Sequence, residues 1–270
     1  MCGFAGFANF TDEISQNENI LKNMNETLSK RGPDEDGYYI DKHVALAHKR
    51  LIVIDPKGGK QPMIQKYSFG TYVIIYNGQI YNTKDLKETL EKNNFTITTH
   101  SDTEILLKSY IHYGKNVVNY LNGIFSFAIW DSNKKEVFLA RDHFGIKPLF
   151  YTLYNNTLIF SSEIKALLKY PGIELKLNSE SIGELIGIGP SHTPGTTIFK
   201  DIFEIKPAHF AIYNYSGFHT SRYWKLETKK HSDSLGATCE KIHYLLDDSI
   251  QRQLISDVPL GVMLSRRFRF

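Results

Sequence analysis

Cys2 stands directly behind Met1, and an initiator methionine is removed when the next residue is small, which would leave a cysteine carrying a free α-amine. Such a residue holds a nucleophile and a base on one carbon. An α-amine titrates at about pH 8, so at neutral pH a useful fraction is unprotonated and can take the thiol proton directly or through a water. No histidine partner is then needed. Taken alone, the dipeptide is more often just a small residue entering a strand.

Other residues have types suited to a site. Asn77-Gly78 follows the run Tyr72 to Tyr76 and reads as a tight hairpin turn, since Asn-Gly tolerates positive φ. A side-chain amide and a backbone N–H presented to one point would also receive an oxyanion, at about 3–4 kcal/mol for a well-aimed donor. Arg50 ends the segment His48-Lys49-Arg50-Leu51-Ile52-Val53, where its guanidinium suits bidentate capture of a carboxylate or an ordinary surface ion pair. Asp102, in Ser101-Asp102-Thr103-Glu104, reads either as part of a helix cap or as an acidic anchor. One basic and one acidic anchor are what a zwitterionic amino acid requires.

These groups need elements to position them. Residues 3–8, 44–47, 72–76, 123–130, 137–140, 149–154 and 157–160 are small, β-branched or aromatic runs read as strands. Residues 15–29, 85–90 and 104–113 carry helical periodicity. Many strands with helices between them predict two packed antiparallel sheets covered by helices, not a βαβ series. Composition changes near Lys225: residues 227–234 read as a linker, followed by a helix through Ile242, Leu245, Leu246 and Ile250 and a short strand at 258–264. This predicts domains at 2–226 and 235–270.

The bulk numbers exclude several classes. A net charge of +3, with its cations spread among acidic residues, calls for no nucleic acid. No apolar stretch approaches the roughly 18–20 residues that span a bilayer, and no basic leader precedes an apolar one. Two cysteines, Cys2 and Cys239, are too few for a disulfide scaffold, so a cytoplasmic location is expected.

The motifs Met1-Cys2-Gly3-Phe4-Ala5-Gly6, Arg31-Gly32-Pro33-Asp34, Arg50-Leu51-Ile52-Val53, Tyr76-Asn77-Gly78-Gln79, Ser101-Asp102-Thr103-Glu104, Gly123 to Ala128 and Arg141 to Leu149 occur in this order. Together they resemble the glutaminase half of glutamine-dependent asparagine synthetases, class II glutamine amidotransferases. Phe160 to Leu167 and Ser256-Asp257-Val258-Pro259-Leu260-Gly261-Val262 resemble the continuation toward the synthetase half.

The resemblance implies an α+β fold, a four-layer αββα N-terminal-nucleophile sandwich followed by the first helix and strand of a truncated α/β ATP-pyrophosphatase-like domain. It implies that Cys2 attacks the amide of glutamine, with Asn77 and Gly78 as oxyanion hole. Arg50 would anchor the α-carboxylate and Asp102 the α-ammonium, with Ile52, Val53, Asn77 and Gln79 completing the glutamine site. Arg31 to Asp34 match a loop near the site, while Gly123 to Ala128 and Arg141 to Leu149 match packing signatures. No cofactor or metal is implied for this half. ATP, magnesium and aspartate belong to the complete synthetase, and the resemblance leaves room for a homodimer. Two other readings are a silent glutamine-binding or interaction remnant and the amidotransferase of a synthetase with a different acceptor.

Two departures stand out. Gln79 replaces the glutamate common in the family, keeping an acceptor and losing a charge, which shifts the substrate ammonium toward Asp102. The family's glycine-rich ATP loop is replaced after Leu264 and Ser265, its expected remnant, by Arg266-Arg267-Phe268-Arg269-Phe270. A one-base frameshift would leave this pattern, since dropping one base from a back-translated tail yields Ser-Gly-Gly-Phe-Asp.

Overall fold

The computed structural model of the protein describes residues 1–189 and 192–261. Strand β1 (Gly3–Asn9) leads into helix α1 (Glu18–Glu26), then β2 (Glu35–Ile40), β3 (Val44–Arg50), β4 (Met63–Tyr67) and β5 (Gly70–Ile80). Helices α2 (Thr83–Lys92) and α3 (Asp102–Tyr113) precede β6 (Gly123–Asp131), β7 (Glu136–Arg141), β8 (Phe150–Tyr154) and β9 (Thr157–Ser161). After α4 (Ile164–Leu167) and α5 (Ser179–Ile188) come β10 (Phe203–Glu204), β11 (His209–Asn214), β12 (Gly217–Arg222) and α6 (Leu235–Gln253). The strands form two six-stranded sheets, ordered β10-β8-β9-β1-β3-β2 and β12-β11-β7-β6-β5-β4, with every ladder antiparallel.

The period of two along each strand explains the layering. In β5, Val73 and Ile75 enter a core shared between the sheets with Phe4, Leu46, Leu139 and Phe160. Tyr72, Ile74 and Tyr76 enter a second core with Leu86 and Leu90 of α2 and Leu106 and Tyr110 of α3. Strand β1 divides the same way: Phe4 and Ala8 join the inter-sheet core, and Ala5 and Phe7 pack with Leu21 and Met24 of α1. The order is therefore helix, sheet, sheet, helix. Burying one such large side chain contributes about 2 kcal/mol, which is why β1 and β5 each carry an unbroken run of buried residues.

Three expectations change. The predicted helix at 15–29 shortens to α1. Asn77-Gly78 is not a hairpin turn: β5 continues through both residues to Ile80, paired with β6 in the register Asn77↔Ser126 and Gly78↔Phe125. Glycine is needed there for space, because a Cβ at Gly78 would stand 2.2 Å from the Ile124 carbonyl oxygen. Residues 227–234 are exposed and carry no helix or strand, and residues 258–261 carry no strand. The remainder of the expected strand, with Leu264 and Ser265, lies outside the described residues.

Candidate active site

Cys2 enters the structure at the foot of β1, where two elements meet. Its Sγ lies 3.5 Å from the Leu51 carbonyl and accepts the Leu51 N–H at 3.4 Å, just past the end of β3. Arg31 Nε donates to the Cys2 carbonyl at 2.8 Å, and Arg31 Nη1 pairs with Glu163 at 3.0 Å. Gly32 beside it permits this approach, since a Cβ there would stand 2.2 Å from the Lys49 carbonyl. Asp34 then accepts the Ile52 N–H at 2.8 Å. The Arg31-Gly32-Pro33-Asp34 loop thus braces both the cysteine and the segment opposite.

Cys2 opens onto a cleft of about 170 Å³ that is also lined by Arg50, Val53, Asn77, Gly78, Gln79 and Asp102. Ile52 is the one sequence-predicted site residue among the described residues that does not line it. The Asn77 side chain is 2% exposed, and its Nδ2 has no hydrogen-bond partner among the described residues. A bare buried amide donor normally costs about 1–3 kcal/mol.

Asp102 is the first residue of α3. The cap is made by Ser101, whose Oγ accepts the Thr103 N–H at 3.2 Å, and Asp102 lines the cleft. Its Oδ2 accepts from the Tyr76 hydroxyl at 2.9 Å and the Ile80 N–H at 3.2 Å. Burial raises the Asp102 carboxyl above its usual range, and the Ile80 N–H, the Tyr76 hydroxyl and the amides of Thr103 and Asp102 itself oppose the shift. Burial, and then Asp102, keeps Tyr76 protonated.

Arg50 is not a surface residue. Its Nη1 donates to Glu35 at 2.8 Å and to the Pro56 carbonyl at 3.2 Å; its Nη2 donates to the carbonyls of Ile54 at 3.0 Å and Asp55 at 2.7 Å. The guanidinium therefore holds the loop at 54–56 while the residue also lines the cleft, which leaves Nε–H as the remaining donor and removes the expectation of bidentate capture. Gln79 points its Nε2 at the Ile255 carbonyl, 2.8 Å away.

Electrostatics around Cys2 favour the neutral forms. Burial pushes the thiol up, against the Leu51 hydrogen bond and the nearby N-terminal ammonium. The N-terminal ammonium of Met1 is lowered by burial first; Cys2 opposes this, and the Arg31 and Lys147 cations reinforce it. Lys147 was assigned with its motif to packing. Arg141 and Asp142 do pack: Arg141 holds the carbonyls of Lys147, Gly145 and Ile205, and Asp142 accepts the amides of Phe144, Ile146 and Lys147. That same framework carries Lys147 to the cleft beside Cys2, with its Nζ 3.4 Å from Met1 Sδ. The lysine is lowered by burial and then by Arg31. One basic residue within a packing motif gives a sequence reader no signal that it borders the cleft.

Beneath the cleft, His48 is fully buried and bonds the Tyr76 carbonyl through Nε2 at 2.9 Å. Burial lowers it to about 4, so it is neutral. Among the described residues no group of His, Cys, Asp or Glu could hold a metal ion, and no helix is long and apolar enough to cross a membrane.

Comparison with known proteins agrees with this architecture. Asparagine synthetase [glutamine-hydrolyzing] 3 of Bacillus subtilis (strain 168) is 45% identical over 265 residues, covering 98% of this chain and 43% of the relative. Asparagine synthetase [glutamine-hydrolyzing] 2 of the same organism is 38% identical over 282 residues, covering 98% of this chain and 37% of the relative. The chain thus spans about two-fifths of the length of these curated relatives. Among solved structures, the glutamine phosphoribosylpyrophosphate amidotransferase of B. subtilis matches with a TM-score of 0.58 at 20% identity, over 83% of this chain and 49% of that one, a likeness of fold. The family described as glutamine amidotransferase domain matches residues 1–224, and with its two sheets and its asparagine synthetase homologues this chain belongs to that family of enzymes.

Proposed function

We propose that the chain hydrolyses glutamine at Cys2, and that the whole protein uses the released ammonia to make asparagine. The observation that carries this reading is the meeting, in one cleft, of the Cys2 thiol with the buried Asn77 Nδ2, which has no partner among the described residues. A donor left bare in the free protein is suited to an oxygen that gains charge only during reaction.

In this reading, removal of Met1 frees the Cys2 α-amine, which takes the thiol proton as Sγ attacks the glutamine side-chain carbonyl carbon. Asn77 Nδ2 and the Gly78 N–H receive the oxyanion. Collapse expels ammonia, which leaves with the transferred proton, and a γ-glutamyl thioester remains. Water then attacks the thioester and releases glutamate. Asp102 receives the substrate ammonium. Arg50 meets its carboxylate by its charge and its Nε–H, since Nη1 and Nη2 each already make two bonds, while Val53 and Gln79 close the sides. Residues 235–261 are read as the opening of a second domain, whose aspartate, ATP and magnesium act in the complete protein.

Ammonia release from glutamine, measured on protein whose intact mass lacks Met1, tests the proposal. Release that is lost in Cys2→Ala supports it. Absence of release from the processed parent overturns it.

A further inference from the structure

Three hydrogen bonds tie the segment after α6 to the glutamine cleft. Gln79 Nε2 donates to the Ile255 carbonyl at 2.8 Å, the Asp257 N–H donates to the Val53 carbonyl at 3.0 Å, and Asp257 Oδ2 accepts the Asp55 N–H at 2.8 Å. The partners are far apart in the chain, by 176 residues for Gln79 and Ile255 and by 202 for Asp55 and Asp257.

Asp55 is where these contacts matter. Its φ is +45°, a left-handed conformation that a non-glycine residue keeps only when its surroundings hold it there. Every polar group of the residue is engaged. Its carbonyl accepts from Arg50, Oδ1 accepts the Gly58 N–H at 2.8 Å, Oδ2 accepts the His100 N–H at 2.8 Å, and its own N–H goes to Asp257. Asp257 is the contributor that comes from beyond the two sheets. The neighbours of Asp55 at Val53, Ile54 and Gly59 line the cleft, so the shape of this loop is the shape of one cleft wall.

Gln79 supplies the matching half. A carboxylate at this position could not donate to the Ile255 carbonyl and would face it oxygen to oxygen, whereas an amide donates. The exchange of glutamate for glutamine at position 79 and the clasp on Ile255 therefore belong together chemically.

We infer that Asp257 is a positioning residue for the glutamine loop, and that Gln79 fastens the same segment from the sheet side, so that the chain after α6 sets the affinity of the cleft for glutamine. The inference rests on the proposed glutaminase reading for its substrate, and on the hydrogen bonds alone for its mechanics.

The test compares Asp257→Ala, Asp257→Asn and Gln79→Glu in this chain, by glutaminase kinetics and by hydrogen exchange at residues 53–59. Loss of a charge-assisted bond from a partly exposed clasp predicts a rise in KM of roughly 5- to 10-fold in Asp257→Ala, with kcat changed less than about twofold. Exchange at the Asp55 amide should accelerate in the same variant. Asp257→Asn keeps an acceptor and should return both readouts to within about twofold of the parent. Gln79→Glu should also speed loop exchange, and by less when Asp257 is already Ala. An unchanged KM with unchanged exchange in Asp257→Ala overturns the inference, as does a fall in kcat at constant KM. If the processed parent releases no ammonia, the proposed function fails separately, and unchanged loop exchange in Asp257→Ala still overturns the clasp.

Discussion

One wall of the cleft carries Asn77 and Gly78 on β5, with Cys2 at the foot of β1 and Asp102 in the first turn of α3. The opposite wall, residues 51–61, has no ladder of its own and is held by side chains: Arg50, Asp34, Asp55 and, from far along the chain, Asp257. The difference divides the work. A sheet cannot adjust when charge develops, and that rigidity makes its donors effective on a transition state. A loop fastened by separate side chains can adapt to a ligand, and this suits recognition.

The largest effect expected is on the sheet wall. Asn77→Ala should lower kcat for ammonia release by about 100- to 1,000-fold with little change in KM. A rise in KM at constant kcat would move Asn77 to the recognition side and break the comparison. The next is an acid limit built beneath the cleft, at His48 of β3, which bonds the Tyr76 carbonyl of β5. His48 is neutral in the fold at about 4 and titrates near 6.5 when unfolded, so the unfolded chain binds the extra proton between these values. Stability should be full above about pH 6.5 and fall by about 3 kcal/mol as pH drops toward 4, then level off with respect to this group. Denaturant midpoints across that window, with a flatter slope in His48→Asn, would check it.

On the loop wall the effect should be smaller and of another kind. Arg50→Lys replaces a planar fork that reaches Glu35 and three carbonyls with a single ammonium, and KM should rise about 10-fold while kcat holds within about twofold. Smallest is the change expected at Lys147, whose cation disfavours protonation of the nearby amine. In Lys147→Met the acid limb of the kcat/KM profile should move to higher pH. A shift to lower pH would show that the lysine acts on another group.

Much of the sheet wall was legible in the sequence because its parts are local. Alternating small and aromatic residues marked β1, a β-branched and aromatic run marked residues 72–76 of β5, and the ordered motifs put Cys2, Asn77 and Asp102 forward as one set. The Asn77-Gly78 dipeptide misled as a turn because its glycine serves a close approach by β6, a cause that leaves the same residue on the page as positive φ does. Strand β2 opens on Glu35, Asp36 and Gly37, and its short Tyr38-Tyr39-Ile40 run is not among those read as strands, so the Glu35 partner of Arg50 is not foreseen. The loop wall was largely illegible. Its fastenings join Asp34 to Ile52 and Asp55 to Asp257, and no spacing rule reports pairs so far apart. Ser101 shows the intermediate case: a cap was expected, and only geometry reveals that the serine does the capping and that Asp102 lines the cleft.

The buried Asn77 amide has a consequence for the history and engineering of the molecule. An apolar residue of similar shape at position 77 would remove a buried amide donor that has no partner among the described residues and would raise the melting temperature. Selection for heat resistance alone would therefore drift toward a sturdier, idle protein. Persistence of asparagine under such selection would signal that turnover was being screened as well.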